Sequence, residues 1–262
     1  MSDAHRAVEA LDTCWSSLDG LMSELGGADW TTRSLCPDWD VRGVIIHLAS
    51  VETMLAGRAP DSMAESLPFE IVGQAMQEMA ELGDAELADR FRSLMATRRS
   101  DLDALSDGDF AAPCMTPVGP GTYGRFMDVR AFDHWVHEQD IRIPVGRPGH
   151  ETGPAAEISV GEIEGSLGYI VGKRIGLPDG RAITFELTGP VHRTMHVAVE
   201  GRAKQVDELA APDVVVTADS LAFARLACGR VEPQAEIDAG TITWSGDDEW
   251  GERAARNLRF TM

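Results

Sequence analysis

Two histidines and one aspartate are the side chains in this sequence best suited to chemistry. Asp133 and His137 lie four residues apart within the segment Arg130–Arg142. Positions i and i+4 of a helix lie on one face, so this carboxylate and this imidazole would point the same way. His47 lies in a second segment with a helical pattern, residues 39–57. Two imidazoles and a carboxylate from two helices predict a divalent metal site with open coordination positions, as catalysis requires.

The spacing leaves alternatives open. Asp133 interrupts the apolar stripe of its helix, and a buried carboxylate needs a compensating arginine or metal ion. His134 competes with His137 as a ligand, and Glu138 offers another oxygen. Asp140 could bind the metal or orient a histidine from outside. The other histidines are expected on the surface or in strands; these are His5, His150, His192 and His196. Cys36 has no sequence neighbour that would stabilise a thiolate, so it is not predicted to be a nucleophile.

The first half of the chain shows the apolar periodicity of helices. Helices are predicted over 4–25, 39–57, 69–82, 84–105 and 125–143. We expect Asp38 to cap the second of them, with Asp40 adding negative charge to its first turn. Residues 106–124 are rich in proline and glycine and predict a break. Four main helices joined by loops indicate an antiparallel bundle with a site in its core.

The second half indicates a small α+β domain. Alternating and apolar runs predict strands at 183–188, 195–199, 214–217 and 241–244. Helices are predicted at 155–175, 220–228, 233–238 and 247–259. The expected domain bounds are therefore 1–150 for the helical bundle and 151–262 for the α+β domain.

Composition narrows the classes of partner. The chain has 262 residues and a net charge of −20, with 44% hydrophobic residues. Such acidity argues against nucleic acids and anionic membranes as partners, because both select basic patches. No apolar run approaches the roughly 18 residues of a membrane span. Four scattered cysteines and no apolar leader predict a cytoplasmic protein with reduced thiols.

Three stretches together resemble the mycothiol-dependent maleylpyruvate isomerase family. They are Ser34–Leu48, Asp133–Arg142, and Ala218–Arg230 followed by Trp244–Asp247. The resemblance covers nearly the whole chain. It implies a fold of the α + (α+β) type: an N-terminal DinB-like metal-binding four-helix bundle followed by a small α+β domain similar to sterol carrier proteins.

The family resemblance also implies site residues and cofactors. A metal ion, usually zinc, would be bound by His47, Asp133 and His137. The family more often has glutamate where this chain has Asp133, and a shorter carboxylate alters affinity or metal choice. The thiol cofactor would be mycothiol, and Arg230 of the C-terminal domain would contribute to catalysis.

The implied function is that of a metal-dependent, mycothiol-using enzyme. It would activate a thiol for addition to an electrophilic small molecule, giving cis–trans isomerisation. A mycothiol S-transferase of detoxification or biosynthesis is the alternative enzyme, and a non-enzymatic metal- or lipid-binding protein is the alternative outside catalysis. Three arginines are candidates for meeting an anionic substrate: Arg130, Arg142 and Arg230. A monomer and a homodimer are both compatible with the sequence.

Overall fold

The computed structural model describes residues 3–261 of the chain. The chain divides into two compact units, Met1–Ile158 and Ser159–Met262. Each unit is described by itself below. No helix among the described residues is both long and apolar enough to cross a membrane.

Four long helices dominate the first unit, as the apolar periodicity predicts. They are α1 (Asp3–Glu24), α3 (Val41–Leu55), α5 (Asp84–Asp103) and α7 (Tyr123–Arg142). Shorter helices are α2 (Gly27–Trp30), α4 (Phe69–Ala80) and α6 (Asp107–Phe110), and a 3₁₀ turn spans Pro60–Met63. The apolar stripe of α1 is fully buried at Ala7, Leu11 and Leu18. The helical bundle predicted for the N-terminal half is confirmed.

One local prediction for this unit was wrong, and another was incomplete. Asp40, not Asp38, caps α3, because the Asp40 carboxylate accepts a hydrogen bond from the Gly43 amide at 2.8 Å. The proline- and glycine-rich stretch 106–124 is more than a break. It contains α6 and an antiparallel hairpin of β1 (Pro113–Thr116) and β2 (Gly119–Thr122). Thr122 then caps α7 through its hydroxyl group.

The second unit is built on a five-stranded mixed sheet in the order β5-β4-β3-β6-β7. The strands are β3 (Ala182–Thr188), β4 (Arg193–Glu200), β5 (Arg202–Val206), β6 (Val214–Asp219) and β7 (Ile242–Gly246). Strands β3 and β6 pair in parallel, and the other neighbours pair antiparallel. Strand β5 was not predicted from the sequence, because it has no apolar face. All of its side chains are exposed or only partly covered. The α+β class predicted for this half is confirmed.

Helices complete the C-terminal half. They are α8 (Pro154–Gly165), α9 (Leu167–Tyr169), α10 (Ser220–Ala227), α11 (Pro233–Asp238) and α12 (Asp248–Arg256). The boundary between the two units falls within α8. A π-helical turn spans Ile170–Ile175, within the stretch predicted as one continuous helix. Asp219 caps helix α10, because its carboxylate accepts hydrogen bonds from the Leu221 and Ala222 amides.

Candidate metal centre

The structure brings together the three residues named from the sequence. His47 of α3 and Asp133 and His137 of α7 each offer one ligand atom, and these atoms lie within 4.8 Å of one another. His47 Nε2 lies 3.4 Å from Asp133 Oδ2, and His137 Nε2 lies 3.5 Å from Asp133 Oδ1. Two ligands bound about 2 Å from a tetrahedral ion lie roughly 3.3 Å apart. Each histidine nitrogen lies close to this distance from one oxygen of Asp133, and the three ligand atoms are near enough to one another for a zinc-sized ion.

The chemistry of the donor set also fits a metal ion. His47 Nε2 is buried and forms no hydrogen bond of normal geometry within the described part of the chain. A buried nitrogen without a partner loses its hydration without compensation. Two imidazoles and one carboxylate are a ligand set typical of catalytic zinc. A divalent ion among these residues would satisfy the His47 nitrogen that the protein leaves unsatisfied.

Asp140 orients His137 from the side opposite the cluster. The Nδ1–H of His137 donates a hydrogen bond to Asp140 Oδ2 at 2.9 Å, and Asp140 is 1% exposed. A proton held on Nδ1 leaves the lone pair on Nε2, the atom that faces Asp133. This geometry favours the second of the two roles predicted for Asp140, that of orienting a histidine from outside the ligand set.

Trp39 covers the two histidines. Its ring stacks on His47 with centroids 4.7 Å apart and is tilted against His137 at 5.8 Å. A Cβ atom at Gly43 would lie only 3.0 Å from the Trp39 Cβ, so glycine lets the indole approach α3 closely. The sequence reasoning missed Trp39, although its place two residues before α3 and eight before His47 was a usable signal.

Arg130 links Asp133 to the buried core. Its guanidinium donates to Asp133 Oδ2 at 2.5 Å and to Glu52 Oε1 at 2.9 Å. Glu52 is fully buried and also accepts from Arg98 at 2.8 Å. The two expectations for Asp133, an arginine partner and a metal ligand, therefore do not exclude each other. Arg130 engages Oδ2, while Oδ1 faces His137.

Charges in this network set the protonation of its members. Burial alone would raise the pKa of Asp133, but Arg130 and the two histidines hold it well below its usual range. The pKa of Glu52 is also lowered, because the effects of Arg130, His134 and Arg98 outweigh that of burial, which alone would raise it. Burial lowers the pKa of His134, and Arg130 adds to this effect. Both carboxylates are accordingly ionised and the His134 ring is neutral near pH 7.

Two of the three arginines considered for an anionic substrate are engaged inside the protein. Arg130 is 3% exposed and bound to Glu52 and Asp133. Arg142 donates to Glu138 at 2.6 Å and to Ser17. Glu52, Asp133 and Glu138 thus already use donors of these two arginines, and a role of either in meeting a substrate stays a prediction.

Arg230 lies in the second unit, where its guanidinium donates to the Cys228 carbonyl at 2.9 Å. Its catalytic role stays a prediction. Cys36 places its sulfur within 4.8 Å of ligand atoms of His137 and Asp140, a proximity that the sequence alone did not indicate.

A second polar cluster lies elsewhere on α7, and the expectation that His150 is an ordinary surface residue was wrong. His150 Nδ1 lies 2.7 Å from Glu138 Oε2, and its backbone adopts a φ of 54°. The Cys14 sulfur lies within 4.8 Å of a ligand atom of each of these residues. Burial raises the pKa of Cys14 well above its usual value, and the Glu138 charge raises it further. Arg142 and Ser17 also bind Glu138, so the cluster is satisfied without a metal ion.

The comparisons with known proteins agree with this architecture. The family model for the mycothiol maleylpyruvate isomerase N-terminal domain matches residues 11–142, and that for the MDMPI C-terminal domain matches residues 157–253. The bounds predicted at residue 150 stay a prediction. No curated protein matches the sequence.

Solved structures give the same picture of the fold. A crystal structure of "the mycothiol-dependent maleylpyruvate isomerase" is 17% identical, covers 94% of this chain and 93% of that chain, and has a TM-score of 0.62. A mutant of the same isomerase gives the same values. Sterol Carrier Protein 2 from Yarrowia lipolytica covers 39% of this chain and 93% of its own at 12% identity, and its TM-score of 0.28 is too low to establish likeness.

The N-terminal model alone matches half of the chain, and the two models together follow both units in order. The resemblance drawn from the sequence is thereby confirmed, together with its expectation of an enzyme family. The chain belongs to the mycothiol maleylpyruvate isomerase family.

Proposed function

We propose that this protein is a metal-dependent enzyme that uses the thiol mycothiol on a small electrophilic substrate, with cis–trans isomerisation as its reaction. The observation that carries the proposal is the unsatisfied, buried Nε2 of His47. It faces a carboxylate and a second imidazole at ligand spacing. The proposed ligands are His47, Asp133 and His137, and the proposed metal is zinc, since borderline nitrogen and oxygen donors suit it.

Family membership supports the thiol. The family model is named for mycothiol, and the solved isomerase that shares the fold is described as mycothiol-dependent. Together, a bound dication and thiol would supply a thiolate nucleophile at neutral pH, whose reversible addition to an activated double bond permits isomerisation. The four cysteines are free thiols in the structure, which suits the reducing cytoplasm that we propose as the location.

The chain's own residues prepare this site. Asp140 keeps the His137 proton on Nδ1 and so directs the Nε2 lone pair toward Asp133. Arg130 anchors one oxygen of Asp133 and limits its rotation. Trp39 covers the faces of both histidines and excludes water from one side. Preorganisation of this kind lowers the reorganisation needed when a ligand binds.

Metal analysis tests the proposal first. Purified protein, or protein dialysed against zinc, should contain one equivalent of metal per chain, and His47→Ala and His137→Ala should lose it. His192→Ala, which removes an exposed histidine of the second unit, should retain it. Equal metal content in all four proteins, or none in the wild type after dialysis, would contradict the proposal.

Product analysis then separates the two enzyme reactions. The wild type is incubated with mycothiol and an electrophilic cis-alkene, and products are followed by NMR and mass spectrometry. Isomerised product with mycothiol unconsumed supports the isomerase. A stable adduct that consumes one mycothiol per product identifies the S-transferase, and neither product over a broad panel of electrophiles favours the non-enzymatic alternative.

A further inference from the structure

A cavity in the second unit is lined in part by positively charged residues, although the chain as a whole is strongly negative. It has a volume of about 470 Å³ and is lined by Tyr169, Arg174, Arg259, Phe260 and Thr261. Two of these five residues are cationic and none is acidic. The whole chain carries 43 acidic and 23 basic residues. Two guanidinium groups on one cavity therefore form a local positive site on a strongly negative protein.

Both arginines of this cavity have unused donors. Among the described residues, the side chains of Arg174 and Arg259 form no ion pair and no hydrogen bond. Arg130 and Arg142, in contrast, are neutralised by buried carboxylates. Two like charges on one cavity repel each other, and a bound anion attracted to both would offset this repulsion. The guanidinium fork matches a carboxylate in shape and binds it through two parallel hydrogen bonds.

The arginines and Tyr169 of this cavity lie in or beside segments of unusual backbone conformation. Tyr169 directly precedes the π-helical turn Ile170–Ile175, and Arg174 lies within it; such turns occur frequently at functional sites. Arg259 crosses Gly229, where a Cβ atom would lie 2.5 Å from the arginine Nε. Gly229 also has a φ of 66°, so its position suits glycine on both counts.

Aromatic rings complete the lining. Tyr169 is 53% exposed, one of few large apolar side chains so open to solvent among the described residues. Phe260 is half-buried, and its amide donates to the Ala227 carbonyl at 3.0 Å, which holds the C-terminal segment against the end of α10. A flat ring or double bond beside a carboxylate would stack on such surfaces.

We propose that this cavity binds a small organic carboxylate with a flat, unsaturated body. Arg174 and Arg259 hold the carboxylate, and Tyr169 and Phe260 contact the flat part. The site lies wholly in the second unit and needs no metal ion. Its failure would leave the proposed function intact, and the loss of metal in His47→Ala would leave this site intact.

Calorimetric titration of metal-free protein with benzoate tests the proposal. Benzamide, which has the same ring without the charge, and inorganic phosphate, which has the charge without the ring, are the comparison ligands. The variants are Arg174→Gln, Arg259→Gln and Tyr169→Leu. Arg90→Gln, an exposed arginine of the first unit, is the matched control for loss of one surface charge. Circular dichroism checks that each variant is folded.

Benzoate should bind saturably at one site, and benzamide should bind at least tenfold more weakly. Each cavity arginine variant should weaken benzoate about tenfold, as expected for loss of a charge-assisted hydrogen bond. Tyr169→Leu should weaken benzoate about threefold and leave phosphate unchanged. Absence of saturable benzoate binding, or an equal loss in Arg90→Gln, would overturn the proposal. Phosphate binding as tight as benzoate would overturn it too, because the cavity would then be a general oxyanion site.

Discussion

Replacement of Asp140 by asparagine tests how the proposed metal site is prepared. The Asp140 carboxylate, 1% exposed, accepts the His137 Nδ1 proton at 2.9 Å. Asparagine has nearly the same size but no charge, and its amide can donate as well as accept. Where it donates to Nδ1, the His137 proton moves to Nε2 and that nitrogen can no longer bind a metal.

The size of the effect follows from this geometry. Loss of a partner that orients a metal-bound histidine typically weakens metal affinity by about 10- to 100-fold. This corresponds to roughly 1.4–2.7 kcal/mol of binding free energy. We expect Asp140→Asn near the lower limit, because asparagine can still accept the proton, and Asp140→Ala near the upper limit. Loss of a ligand in His47→Ala should exceed both.

Competition with a chromophoric chelator measures the affinity for zinc directly, starting from metal-free protein. Glu138→Gln is the matched control, since Glu138 is an equally buried carboxylate on α7 that binds Arg142 and Ser17 instead. It should lower the free energy of unfolding and leave zinc affinity unchanged. Urea denaturation of the metal-free variants separates the two effects.

Two results would refute this reasoning. The first is zinc affinity in Asp140→Asn within twofold of the wild type. The second is a loss in Glu138→Gln as large as that in Asp140→Asn, since general damage to α7 would then explain both.

Three further predictions concern stability. Arg130→Met should destabilise the metal-free protein by about 3 kcal/mol, because Glu52 stays buried with less compensation for its charge. Adding Glu52→Gln to this variant should recover part of the lost stability. If urea denaturation shows that the losses of the two single variants simply add, the two residues are not coupled as proposed. Burial holds the pKa of His134 below its ordinary value, so below about pH 6.5 the unfolded chain binds a proton that the folded chain does not. Stability should therefore fall as pH drops from 6.5 to 5, and urea midpoints of His134→Gln should show a smaller fall. Gly251→Ala would place a methyl group 2.2 Å from the Trp244 ring and should lower stability by about 1–3 kcal/mol, whereas an unchanged melting temperature would show that the ring moves freely.

The sequence determined the helical first half and its candidate ligands. Helix periodicity depends on local spacing, so α1, α3, α5 and α7 follow from their apolar stripes. The i, i+4 relation of Asp133 and His137 is likewise local. His47 was found as a third candidate because its segment is also an apolar helix with a histidine at the flank of its stripe.

Tertiary structure decided which groups face one another. Arg130 and Glu52 are 78 residues apart, and no spacing rule predicts that the first would neutralise the second beside Asp133. The same applies to His150 and Glu138, and to Arg259 over Gly229, since each pair joins different elements.

The physical reason is the range of the interactions. Helix formation and capping act within a few residues along the chain, so a single sequence records them. Ion pairs, orphaned nitrogens and cavities arise only where distant segments exclude water together. The sequence by itself thus determined the family, the fold class and the three candidate ligands. Only the tertiary structure decided which nitrogen is left unsatisfied, which arginines are already used and which are available.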